Sequence, residues 1–175
     1  MSLYSTERRG FPFLKHLPEP ETKYARVWFL NVVITGIPDS GGGSAEEGLF
    51  IPTPAIMLKD CGQRVISIIV RKDEARNIKD VLEKHPDRAT VYELLLSVLR
   101  KMHIEIKGTF VHSVRELRYL AKLHLKMPGN GEVVELACRP SDAILLSILS
   151  NSPIYMRNEL MKECSVDISE IPGTR

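Results

Sequence analysis

The chain has little of what would commit it to a specialised chemistry. Its 175 residues include three cysteines, five histidines and a single tryptophan. Cys61, Cys138 and Cys164 are odd in number, far apart and form no CxxC pair. They argue against a disulfide scaffold and read as free thiols in a reducing compartment. The histidines at 16, 85, 103, 112 and 124 have no partner at metal-ligand spacing, so zinc is not expected. No apolar run is as long as a membrane span, and the residues after Met1 do not resemble a signal peptide. A cytoplasmic chain without membrane contact is therefore expected. Net charge is only +2, which by itself points to no partner.

What is present is an ordinary globular balance, 43% hydrophobic and 26% charged, in a length that suits one domain. Residues 1–25 mix charges with Pro12, Pro18 and Pro20 and read as an irregular arm. Residues 26–163 carry the periodic segments, and residues 164–175 read as a loose tail. Residues 26–37 form a Val/Ile-rich strand, and residues 39–44 a glycine-rich turn. That turn lacks the Gly-Lys-Ser/Thr that would make it a phosphate loop. Residues 55–58 and 64–70 flank a turn. Helical spacing marks residues 73–84 and, more strongly, residues 90–102, with Leu94, Leu95, Val98, Leu99 and Met102 on one broad face.

Two further strands, 104–114 and 118–126, precede a turn at 128–131 and a strand over 132–138. In the second of them Tyr119, Ala121, Leu123 and Leu125 share one face, while Arg118, Lys122, His124 and Lys126 share the other. Pro140 then opens an apolar helix. Residues 153–156 form a short strand, and 158–163 a helix capped by Asn158. Strands outnumber helices without alternating strictly, which predicts a single compact α+β domain with a mixed or antiparallel sheet. There is no internal repeat.

These pieces resemble a known family. Leu58-Lys59-Asp60-x-Gly62, Glu74-Ala75, Leu94-Leu95, Tyr119-x-Ala121, Arg139-Pro140-Ser141-Asp142-Ala143 and Pro153-Ile154-Tyr155 follow one another as in the bifunctional nuclease family. The Arg-Pro-Ser-Asp-Ala segment followed by Pro-Ile-Tyr is the most specific part. The resemblance implies an α+β domain, commonly oligomeric, with DNase and RNase activity proposed for it. Three departures stand out. Val91-Tyr92-Glu93-Leu94 replaces Thr-His-Asp-Leu, and Ala137 replaces an acid. Residues 66–71 replace Leu-Pro-Ile-Trp-Ile-Gly.

The junction Arg139–Asp142 admits two readings. Pro140 suits the first helical turn, Ser141 can cap free N–H groups, and Asp142 complements the helix dipole. Alternatively, Asp142 binds Mg²⁺ or Mn²⁺ while Arg139 and Ser141 hold a phosphate. Phosphodiester hydrolysis needs converging carboxylates, and family position nominates Asp60, Glu74 and Glu93. In that case Asp142, Glu74 and Glu93 carry catalysis, Asp142, Asp60 and Glu74 ligate metal, and Arg118, Lys122 and Lys126 grip further phosphates of DNA or RNA. No aromatic platform interleaves that basic stripe, which otherwise reads as a solvated strand face. The helix after Asp142 is apolar nearly all round. It is therefore buried on both sides, in a central core or against a second subunit of a homo-oligomer. Two functions follow as expectations: a metal-dependent nuclease of little sequence preference, or a non-catalytic oligomeric nucleic-acid-binding or protein-interaction module with the same fold.

Overall fold

The computed structural model describes residues 23–38, 50–83, 90–116 and 118–168. Its elements in chain order are β1 (Tyr24–Pro38), β2 (Phe50–Asp60), β3 (Arg64–Ile69), α1 (Lys72–Glu83), α2 (Val91–Lys101), β4 (Glu105–Arg115), β5 (Arg118–Lys126) and β6 (Val133–Cys138). They continue with α3 (Pro140–Ser150), β7 (Ile154–Arg157), α4 (Asn158–Cys164) and β8 (Val166–Asp167). The strands form one eight-stranded sheet in the order β6-β5-β4-β7-β1-β2-β3-β8. Neighbours are antiparallel except β4 and β7, which run parallel and so make the sheet mixed. This is the expected α+β class. The arm at residues 1–22, the glycine-rich turn at 39–44 and residues 169–175 lie outside the described residues. Among the described residues no helix is long and apolar enough to cross a membrane.

Two strands are longer than their residues suggested. The strand expected over residues 55–58 begins earlier, at Phe50, and runs through Pro52 and Pro54 as β2. Its last pairing with β3 is Ala55 with Ile69, so the prolines lie where that flank of β2 has no partner strand, and their missing N–H groups break no ladder there. At the other end Tyr24 and Ala25 already pair with β7, and Val166 and Asp167 pair with β3, so both expected tails contribute to the sheet.

The core lies between one face of this sheet and the helices. Val27, Val111, Ala121, Leu123, Ile154 and Met156 point from the strands toward Ala143, Ile144, Leu145 and Leu146 of α3. Within one chain Ser141 and Ala143 to Ser147 of α3 are buried and Ile148 and Leu149 half-buried, so most of its apolar surface is covered without a second subunit. Inside this layer the Thr109 hydroxyl donates to the Ala143 carbonyl at 2.8 Å and contacts Ser147 Oγ at 2.7 Å. Burying those hydroxyls without partners would cost about 1–3 kcal/mol each, so the pairing fixes where α3 sits on β4.

Helix α2 departs from expectation. Thr90 caps it through a complete capping box with Glu93, but its broad apolar stripe is not the core face. Leu96 and Leu99 are buried, whereas Val91 (71%), Leu94 (62%), Leu95 (42%), Val98 (44%) and Met102 (56%) are exposed. The reason is that α3 already covers β4 and β5, so α2 packs on α3 along a narrow seam. Asn158 is the first residue of α4, not its cap, and Arg157 holds the N-cap position without a side-chain capping bond.

Gly108 allows β4 to approach the chain entering β7. A Cβ there would sit 2.8 Å from the Pro153 carbonyl oxygen, which itself accepts from Thr109 N at 3.0 Å. Gly108→Ala is expected to destabilise the fold by about 1–3 kcal/mol through this overpacking, read as a lower urea midpoint.

Candidate functional site

The β6–α3 junction brings three sequence segments into one polar cluster. Arg139 occupies the N-cap of α3 with extended backbone (φ −70°, ψ 143°) and makes no side-chain cap. Pro140 takes the first helical turn, and Ser141 is buried, not a cap as expected. The guanidinium of Arg139 folds back over the helix start. Its Nε donates to Asp142 Oδ2 at 2.8 Å and its Nη2 to Asp142 Oδ1 at 3.0 Å, a bidentate pair. Its Nη1 donates to Glu74 Oε1 at 2.8 Å, so one cation bridges two carboxylates.

The other groups in the cluster complete its hydrogen bonding. Glu74 sits in the first turn of α1, its side chain only 9% exposed, and its Oε2 accepts from the Arg71 backbone N–H at 3.0 Å. That is half of a capping box, so Glu74 closes its own helix as well as holding Arg139. Arg71 Nε lies 3.4 Å from Glu74 Oε1. Tyr92 of α2 donates its phenol proton to Asp142 Oδ1 at 2.8 Å. Burial, and then this bond to Asp142, push the Tyr92 phenol up to about 12. Burial and the nearby Asp142 charge also raise the Cys138 thiol, which disfavours a thiolate nucleophile there.

The structure therefore brings together Glu74, Arg139 and Asp142, and adds Tyr92 and Arg71. The remaining expected acids are elsewhere. Asp60 closes the β2–β3 turn, accepting from Arg64 N at 2.9 Å and Arg64 Nε at 2.8 Å, with its side chain 2% exposed. Glu93 is spent on the α2 capping box, accepting from Thr90 N at 2.7 Å. As arranged, these side chains do not make a resident Mg²⁺ or Mn²⁺ site. Each oxygen of Glu74 and Asp142 already accepts from Arg139, Arg71 or Tyr92. No three His, Cys, Asp or Glu side chains gather at metal-binding distance among the described residues.

The expected phosphate-binding stripe on β5 is partly engaged. Lys122 Nζ bonds Glu135 of β6, and His124 Nε2 lies 3.5 Å from the same carboxylate. Arg118 and Lys126 stay exposed at the two ends of the strand. Tyr92 and Arg71 were not foreseen as site residues. Tyr92 had a signal, its place where the family carries histidine, whereas Arg71 had none.

Comparison with known proteins gives two findings. Residues 56–169 match the bifunctional nuclease domain. A curated protein from Oryza sativa subsp. japonica, bifunctional nuclease 2, is 28% identical over 113 residues, covering 62% of this chain and 35% of the relative. The chain thus spans about a third of the length of the curated relative it matches.

The raised Tyr92 value predicts a definite pH response. The folded protein holds the phenol proton between pH 10.0, the ordinary value, and about 12, while the unfolded chain releases it. Stability from this bond is complete below pH 10 and falls as pH rises through that window. Tyr92→Phe is expected to cost about 0.5–1.5 kcal/mol at neutral pH and to remove that part of the alkaline slope, measured by urea melts across pH 8–11.5.

Proposed function

The chain belongs to the bifunctional nuclease family, and on that premise we propose that it acts on nucleic acid, as a binding domain that keeps the family fold. The observation that carries this choice is the state of Asp142. Both its oxygens are engaged by Arg139, and Tyr92 supplies a third bond from the position where the family commonly has an imidazole. A phenol held this far above neutral pH is a poor general base, and a carboxylate so fully engaged is a poor metal ligand. The cluster serves to lock three helices together.

Metal-dependent hydrolysis of DNA or RNA, with Mg²⁺ or Mn²⁺, is the competing function. Glu74 and Asp142, far apart in sequence, converge on one guanidinium that is half exposed. Two converging carboxylates are the start of a phosphodiesterase centre. The decisive assay incubates labelled DNA and RNA with Mg²⁺ or Mn²⁺, wild type beside Asp142→Asn and Glu74→Gln. The expected result is retention of oligonucleotide on the wild type without cleavage above blank. Metal-dependent cleavage that disappears in a folded Asp142→Asn protein would instead establish the nuclease.

A second copy of the chain is the occupant we propose for the exposed stripe of α2. Val91, Leu94, Leu95, Val98 and Met102 lie on one helical face, as an association seam requires. Leu94→Glu with Val98→Glu should lower the mass measured by light scattering to that of one chain, 19.8 kDa, without unfolding. A wild type that is already monomeric at tens of micromolar would reject the association.

A further inference from the structure

The sheet has a second face, turned away from α3, and cross-strand register shows what it carries. Pairs directly opposite one another project to the same side. Arg26 pairs with Tyr155 and Tyr24 with Arg157 across β1 and β7. Phe110 pairs with Tyr155 across β4 and β7, and with Lys122 across β4 and β5. His124 pairs with Glu135, and Trp28 with Lys59. All of these lie opposite Thr109, Val111, Leu123 and Ile154, the residues against which α3 packs. The basic stripe of β5 is thus one margin of an aromatic row contributed by other strands.

The rings of that row are in contact. Phe110 stacks between His124, at 4.0 Å and 22°, and Tyr155, at 4.7 Å and 24°. Tyr24 meets Phe110 edge-on at 5.3 Å. Farther along β1, Trp28 is 47% exposed and carries the Arg26 guanidinium 5.4 Å from its ring centre. An exposed tryptophan with an arginine over it joins a base-stacking surface to a phosphate-binding cation. Burial and neighbouring Lys122 hold His112 and His124 below their ordinary value, so at neutral pH His124 serves the row as an uncharged ring.

Charge on this face favours an anion. Arg26, Lys59, Lys122 and Arg157 stand against Glu135 and Glu159, which pair with Lys122 and Arg157. At the hairpin end Arg115 pairs directly across from Arg118. Like charges placed opposite one another raise the energy of a hairpin, and a polyanion lying across them relieves it. Duplex bases are stacked on each other and offer no free faces. A single strand offers both bases and phosphates.

We propose that this sheet face binds single-stranded nucleic acid, with a base stacking on the exposed Trp28 ring and phosphates held by Arg26, Lys122 and the Arg115–Arg118 pair, while Phe110, closed between His124 and Tyr155, forms the packed floor beside them. The proposal rests on the nucleic-acid reading above and names its surface and its strand preference. Trp28 is the only tryptophan in the chain, so its emission reports this face alone. The experiment titrates a twelve-nucleotide oligo-dT, an oligo-U and a duplex of equal length into wild type, Trp28→Ala and Arg26→Gln. Both substituted side chains are exposed, so the variants should fold as wild type does, and circular dichroism checks that they do. Single strands should change Trp28 emission, the duplex should compete weakly, and either variant should bind single strands about tenfold more weakly by anisotropy. Binding that leaves Trp28 emission unchanged and is equal in wild type and variants would overturn the sheet-face proposal while leaving nucleic-acid binding intact. Absence of binding to all three oligonucleotides would overturn both.

Discussion

One guanidinium organises the helical layer. Arg139 sits where β6 becomes α3, and its donors reach Asp142 on α3 and Glu74 on α1, while Tyr92 on α2 bonds the same Asp142. Three helices that are separate in sequence thus share one polar knot at the edge of an apolar core. Glu74 is nearly buried, and an uncompensated carboxylate there would be costly, so the ion pair is a condition of the packing. The Thr109–Ala143–Ser147 bonds are the corresponding constraint underneath, holding α3 on the sheet. With both in place the position and rotation of α3 are determined, and α2 has only α3 left to pack on. That is why Leu94 and Leu95 face outward while only Leu96 and Leu99 are buried.

The same arrangement divides the surface by charge. At the helix side the Glu74 and Asp142 carboxylates are matched by Arg139, by the Arg71 backbone and by the Tyr92 hydroxyl, which leaves a self-satisfied cluster. On the sheet face turned away from α3 cations outnumber acids and sit among aromatic rings. A polyanion gains little from the first and much from the second. The two surfaces are linked through β4 and β5. Their inward residues, Thr109, Val111, Ala121 and Leu123, seat α3, and their outward residues, Phe110, Lys122 and His124, line the aromatic row. One antiparallel pair serves both through the alternation of side chains.

Much of this was legible from residue order. Alternation along residues 118–126 marked β5 and its basic side, and Pro140 followed by an apolar run marked the start and the burial of α3. The Arg-Pro-Ser-Asp-Ala segment identified the family. The errors share a cause. Ser141 and Asn158 are residue types that cap helices, but a cap depends on which residue holds the half-turn position, and the chain placed arginines there. β2 starts five residues before the expected strand at 55–58, because a flank without a neighbour, which lets Pro52 and Pro54 join a strand, cannot be read locally. Asp60, Glu74, Glu93 and Asp142 were grouped as possible ligands, but only Glu74 and Asp142 meet, since convergence depends on how α1 and α3 cross.

Residue order alone set the period of most segments, hence their secondary structure, their apolar side and the α+β class, because those follow from side chains within a few residues of one another. Tertiary structure alone decided which segments became neighbours. It made Arg139 a bridge between two carboxylates in place of an open phosphate contact, turned the apolar stripe of α2 to the outside, and set Phe110 and Tyr155 beside a basic stripe whose own strand supplies no such platform. Each of these depends on a pairing between residues more than forty positions apart, such as Phe110 with Tyr155 across the parallel β4–β7 contact. Local periodicity carries no information about register at that distance.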